Sequence, residues 1–145
     1  MAKDFFTKEQ RDAIVAAIKE AELNTSGEIR VHLEGECKID VLDRATYWFE
    51  KLNMHKTELR NGVLFYLAYR DKKFAILGDV GINIKVQDNF WDEIKTNMEQ
   101  HFRAGDFTKG LTSGILACGV QLKTNFPYKS NDINELSDEI SYGKK

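Results

Sequence analysis

The stretch GVLFYLAY, residues 62 to 69, constrains the fold more than any other part of the chain. A run of eight nearly continuous apolar residues is the pattern of a central strand whose two faces are both covered. The fold must therefore supply a layer on each side of a sheet. A second strand, Lys73 to Leu77, follows after the polar turn Arg70 to Lys72, and a hairpin is the simplest join. Between Glu28 and Glu34 the pattern has period two: Ile29, Val31 and Leu33 share one face, and Glu28, Arg30, His32 and Glu34 share the other. That second face reads as wet or site-lining, with His32 solvated or salt-bridged.

Four helices accompany these strands. Thr7 and Gln10 have the spacing of a capping box, and Ile14, Ala17, Ile18 and Ala21 form the apolar face of a helix running to about Glu22. Asp40 is placed to cap a second helix through about Leu52, with Leu42, Ala45, Trp48 and Phe49 as its stripe. A third starts at Asp88 or Asn89 and runs to about Arg103, broken by AGDFTKG, residues 104 to 110. The last spans Leu111 to about Lys123. The order α-β-α-β-β-α-α predicts a three-layer αβα sandwich around a small mixed central sheet of about three to four strands.

The chain of 145 residues suits one domain, here residues 1 to 126. Residues 127 to 145 form a polar, acidic C-terminal tail, expected to dock loosely through Ile133, Leu136 and Ile140 or to be disordered. Twenty-one basic residues are scattered among 23 acidic ones for a net charge of −2, which argues against a nucleic-acid partner. No apolar run reaches the roughly 18 to 20 residues of a membrane helix, and the N-terminus lacks a secretory pattern, so no membrane insertion and a cytoplasmic location are expected. Cys37 and Cys118 form no C-x-x-C pair and read as reduced, structural thiols.

Phosphate loops, nucleophile elbows and H-E-x-x-H are absent, and His32, His55 and His101 fall on separate elements. Hard oxygen ligands remain. Asp79, Asp88, Asp92 and Asp106 lie in or beside irregular segments, where carboxylates and free carbonyls can gather around calcium. Each also has an ordinary local role as turn residue, cap or partner of a helix dipole. Convergence of all four requires the 78–88 loop to cross to the 104–110 loop, against a helix of about 15 residues, or on the order of 22 Å, that keeps its ends apart.

The segments TSGEIRVHLE (25–34), RNGVLFYLAYRDKKFAILGDVGI (60–82), FWDEI (90–94) and FRAGDFTKGL (102–111) together resemble the TPM domain family across roughly residues 7 to 126. The resemblance implies an αβα sandwich. It also implies divalent-cation binding, usually of calcium, by acidic side chains in loops near the sheet edge, and acid phosphatase activity assigned to some members. Matched by motif, Asp79, Asp88 and Asp106 are the implied metal ligands, with Glu28 of the S-G-E motif a weaker one. Asp92 assists in the reading from the residues themselves.

The leading expectation is thus a stand-alone TPM domain holding one or two divalent cations, calcium first and magnesium second, between two loops. Two alternatives accompany it. One is a metal-dependent acid phosphatase acting on phosphate monoesters, with Lys109 or Arg103 neutralising the phosphate. The other is a protein-interaction module that docks an unidentified protein partner through acidic residues 131 to 140.

Overall fold

The computed structural model of the chain describes residues 2–86, 89–128 and 134–143. The apolar run forms strand β2, Gly62–Ala68, every residue of which is buried. It lies inside a sheet of order β3-β2-β1-β4, with β1 at Glu28–Glu34, β3 at Lys73–Gly78 and β4 at Ser141–Tyr142. β1 runs parallel to both β2 and β4, while β2 and β3 make the antiparallel hairpin. The sheet is mixed and four-stranded.

Alternation along β2 divides the core in two. Val63, Phe65 and Leu67 face the larger cluster, built with helices α1 (Lys8–Glu22), α4 (Phe90–Arg103) and α5 (Phe107–Asn125). Leu64, Tyr66 and Ala68 face the smaller one, built with helix α2 (Val41–Lys51), the 3-10 turn Met54–Lys56 and Leu136. The result is the expected three-layer sandwich. The capping box of Thr7 and Gln10 and the Asp40 cap of α2 both form.

Three local expectations change. Asp79 caps a single-turn helix, α3, at Val80–Asn83, so the stretch after β3 is not all irregular. Residues Phe107 to Gly110, expected in a loop, are the first turn of α5. Gly110 reads as a breaker in sequence, but it is buried where an added Cβ would strike the Phe102 ring, so its small size serves helix packing. The polar face of β1 is not wet: Glu28, His32 and Glu34 are all buried, because α2 and the segment 134–143 cover them.

That segment joins the fold at defined points. Leu136 and Ile140 are buried, and Ser141–Tyr142 pair with His32–Leu33. Ile133 lies outside the described residues. No helix among them is long and apolar enough to cross a membrane. Cys37 and Cys118 are both free and buried.

Candidate functional site

β1 carries an uncommon load for a buried strand: four polar residues in alternate positions on one face. At its C-terminal end Glu34 is satisfied completely. Arg44 of α2 grips it with two bonds, Nε to Oε1 at 2.9 Å and Nη2 to Oε2 at 2.7 Å, and the Tyr66 hydroxyl donates to Oε1 at 2.6 Å. Burial alone would raise the Glu34 carboxyl, but these donors outweigh it and hold the group below the usual carboxylate range.

His32 is neither solvated nor ion-paired. Its ring stacks on Trp48 with centroids 3.9 Å apart, and its Nδ1 meets Ser141 Oγ at 2.9 Å. Burial pushes it down to about 3, so the imidazole is neutral at physiological pH. A base that weak cannot activate the neighbouring serine hydroxyl, and the pair is structural.

At the start of β1 the situation reverses, because carboxyls there face carboxyls. Glu22, at the end of α1, accepts from the Ile29 amide at 2.7 Å. Burial and the facing Asp138 carboxyl push Glu22 up to about 9. Glu28 accepts from the Leu136 amide at 2.5 Å, and burial together with Glu135 pushes it up to about 7. Glu22, Glu28 and Asp138 line a cavity of about 290 Å³ beside Lys19 and Tyr128. Neighbouring like charges that lack a partner of opposite sign retain protons.

Asp79 stands at the same end of the sheet, since its amide donates to the Gly62 carbonyl at 3.0 Å and the Glu28 amide donates to that of Asn61 at 3.2 Å. It is buried and engaged already: Arg60 binds it bidentately at 2.7 and 2.8 Å, and it caps α3 through Val80. Asp92 is exposed in the first turn of α4, and Asp88 lies outside the described residues.

Asp106 is elsewhere. α4 runs back along β3, with Trp91 against Gly78 at one end and the Phe102 ring 4.9 Å from Phe74 at the other. Asp106 follows that far end, so the length of α4, on the order of 20 Å, separates it from Asp79. The 78–86 chain turns into α3 and does not cross over. A single ion therefore does not join Asp79 to Asp106. Arg103 pairs with Glu99 at 3.1 Å on the surface, and Lys109 lies in the first turn of α5, both at the Asp106 end. Among the described residues, no three His, Cys, Asp or Glu side chains are arranged to hold a metal ion.

Asp106 does cap α5, accepting from the Lys109 amide at 3.0 Å. Asp106→Ala is expected to lower stability by about 1 kcal/mol. Urea denaturation checks this, and an unchanged midpoint would remove the cap from the account.

The sequence profile of the TPM domain matches residues 2–121. The chain belongs to the TPM domain family. The solution structure of the BA42 protein from the psychrophilic bacterium Bizionia argentinensis is 50% identical, each chain covering 97% of the other, with a TM-score of 0.92. Two distant structures share the fold alone. The N-terminal domain of cg2496 from Corynebacterium glutamicum is 12% identical over 97% of this chain and 83% of its own, with a TM-score of 0.66. The N-terminal domain of a P. gingivalis protein is 18% identical over 85% and 80%, with a TM-score of 0.69. No curated protein sequence matches the chain.

In this TPM domain the sequence reading missed Glu22, Glu135 and Asp138. Glu22 reads as a solvated residue of a helix end, and the other two as part of an acidic tail. For Glu135 and Asp138 the available signal was their position beside Leu136 and Ile140, since burying those apolar residues brings the adjoining acids to the sheet.

Proposed function

We propose that this TPM domain binds divalent cations, calcium first, at the end of the sheet where β1 begins and β3 finishes. The observation that carries the reading is the surplus of acids there: Glu28 faces Glu135, Glu22 faces Asp138, and among the described residues no cationic side chain forms an ion pair with any of the four. A divalent cation can take the place of the protons these acids retain, and calcium tolerates the irregular oxygen sets that a strand end and a docked segment supply. Glu28 is the central ligand in this reading, and Asp79 enters only when Arg60 lets go, which its half-exposed side chain permits. Asp92, exposed in the first turn of α4, assists from the helix start, and Asp88, outside the described residues, is a further ligand in this reading. Asp106, at the far end of that helix, belongs to a second ion if two are bound.

Family membership supports cation binding as a class, and the carboxylate surplus supports the location. Cation binding would draw segment 134–143 more tightly onto β1, giving the domain a response to cation concentration. Calcium titration followed by amide chemical shifts tests the proposal. Shifts are expected at Glu28, Ile29 and residues 134 to 138, with at least a tenfold weakening in Glu28→Gln. Amides that stay unmoved at millimolar calcium would refute it.

A further inference from the structure

A second cavity, of about 270 Å³, opens on the α2 side of the sheet between β1, the 3-10 turn and segment 134–143. Its chemistry is opposite to that of the carboxylate cluster. Arg30 enters from β1 and Lys56 from the turn, and among the described residues neither cation has a carboxylate within 4 Å. Among the described residues, Arg30 Nε is buried without a hydrogen-bond partner. A buried guanidinium donor left unpaired is costly, and a folded chain keeps such a group only where something else meets it.

The remaining lining is rich in unused donors. Thr57 Oγ1 accepts from the Asn61 amide at 3.3 Å and Ser137 Oγ accepts from the Glu139 amide at 3.1 Å, so both hydroxyl protons are left to give. Asn53 makes no side-chain cap bond to the turn it precedes. One acid also lines the cavity, Glu135, and its oxygens are turned to the Glu58 amide at 3.3 and 3.4 Å.

We infer that this cavity binds an oxyanion group, phosphate ahead of carboxylate, with Arg30 as the fork and Lys56 as the second charge. Phosphate is favoured because its tetrahedral oxygens meet the guanidinium, ammonium and hydroxyl donors together, whereas a carboxylate offers two oxygens to one plane. Glu135 limits affinity by like charge, which gives the site a distinctive response to substitution. The inference does not rest on the cation proposal, because its ligating groups are the basic residues of a different cavity; the two share only Glu135, which lines this cavity and also faces Glu28.

The test uses the full chain in buffer stripped of divalent cations, so that cation binding contributes nothing. Inorganic phosphate, phenyl phosphate and acetate are titrated separately while amide shifts are followed, with sodium chloride at matched ionic strength as the control. Saturable shifts at residues 30, 53 to 57 and 135 to 137 are expected with phosphate, and weaker ones with acetate. If phenyl phosphate binds as tightly as phosphate, the natural ligand class extends to phosphate monoesters; if it does not, the free ion is the ligand.

Arg30→Gln is expected to weaken binding at least tenfold, and Lys56→Gln, at an exposed position that leaves the fold intact, about threefold. Glu135→Gln is expected to tighten it. Shifts that sodium chloride reproduces, that persist in both basic variants, or that weaken in Glu135→Gln would overturn the inference.

Discussion

Valine at position 119 is expected to destabilise this domain by about 3 kcal/mol, at the upper end of the overpacking range. Gly119 sits where α5 crosses α1, and a Cβ added there would lie 2.6 Å from the Ala21 Cβ, 2.8 Å from its Cα and 3.0 Å from its carbonyl oxygen. Two of these are backbone atoms, so no rotamer change relieves the overlap. The helices must separate along an interface that buries Ile14, Ile18, Ile115 and Leu122. Glu22 follows Ala21 directly, so the same displacement moves its carboxylate away from Ile29 and Asp138. Denaturant unfolding measures the loss, and a midpoint equal to the parent's would show that the contact yields more easily than its geometry implies.

The second large effect lies on the other face of the sheet. Arg44→Met is expected to cost about 2 kcal/mol, less than the roughly 3 to 5 of a fully buried pair, because Arg44 remains partly exposed to water. The substitution strands Glu34, whose side chain is only 8% exposed, with the Tyr66 hydroxyl as its last donor. The pH dependence follows from the depressed pKa of Glu34. An acid whose folded value lies below its unfolded value, about 4.3, stabilises the fold above that pH and ceases to do so as pH falls through the folded value. The gap between parent and variant should therefore be full near neutrality and shrink below about pH 4. Unfolding curves at pH 7 and pH 3.5 check this, and a gap independent of pH would mean that the arginine acts through its packing on Tyr47 and Trp48 rather than its charge.

Local signals in the sequence carried most of the architecture. The apolar run at 62 to 68 demanded cover on both faces, and the capping chemistry of Thr7 and Asp40 placed two helices to within a residue. Where the reading departed from the structure, the missing information was nonlocal. The face holding Glu28, Arg30, His32 and Glu34 alternates as a solvent-facing strand would, and only segment 134–143, about a hundred residues later, decides that it is buried. Gly110 looks like a helix stop until Phe102 is seen beside it.

The candidate site was legible to the same degree. The roles of Asp79 and Asp106 as caps follow from their neighbours, and the structure shows both. That α4 holds them at opposite ends depends on the direction in which the helix returns along β3, which no short motif records. Glu28 was found through a motif, whereas the acids that surround it come from two distant parts of the chain, the end of α1 and segment 134–143.

The pairing of β4 with β1 also bears on how the fold is reached. His32 and Ser141 are separated by 109 positions, so the strand made early waits for a partner made late. Until then its edge carries unpaired backbone groups beside a stacked imidazole and an unshielded guanidinium. Closing so long a loop is entropically slow, and an open strand edge invites pairing with another chain. Refolding should accordingly end in a slow phase that reports on Trp48, and high protein concentration during that phase should divert chains into association.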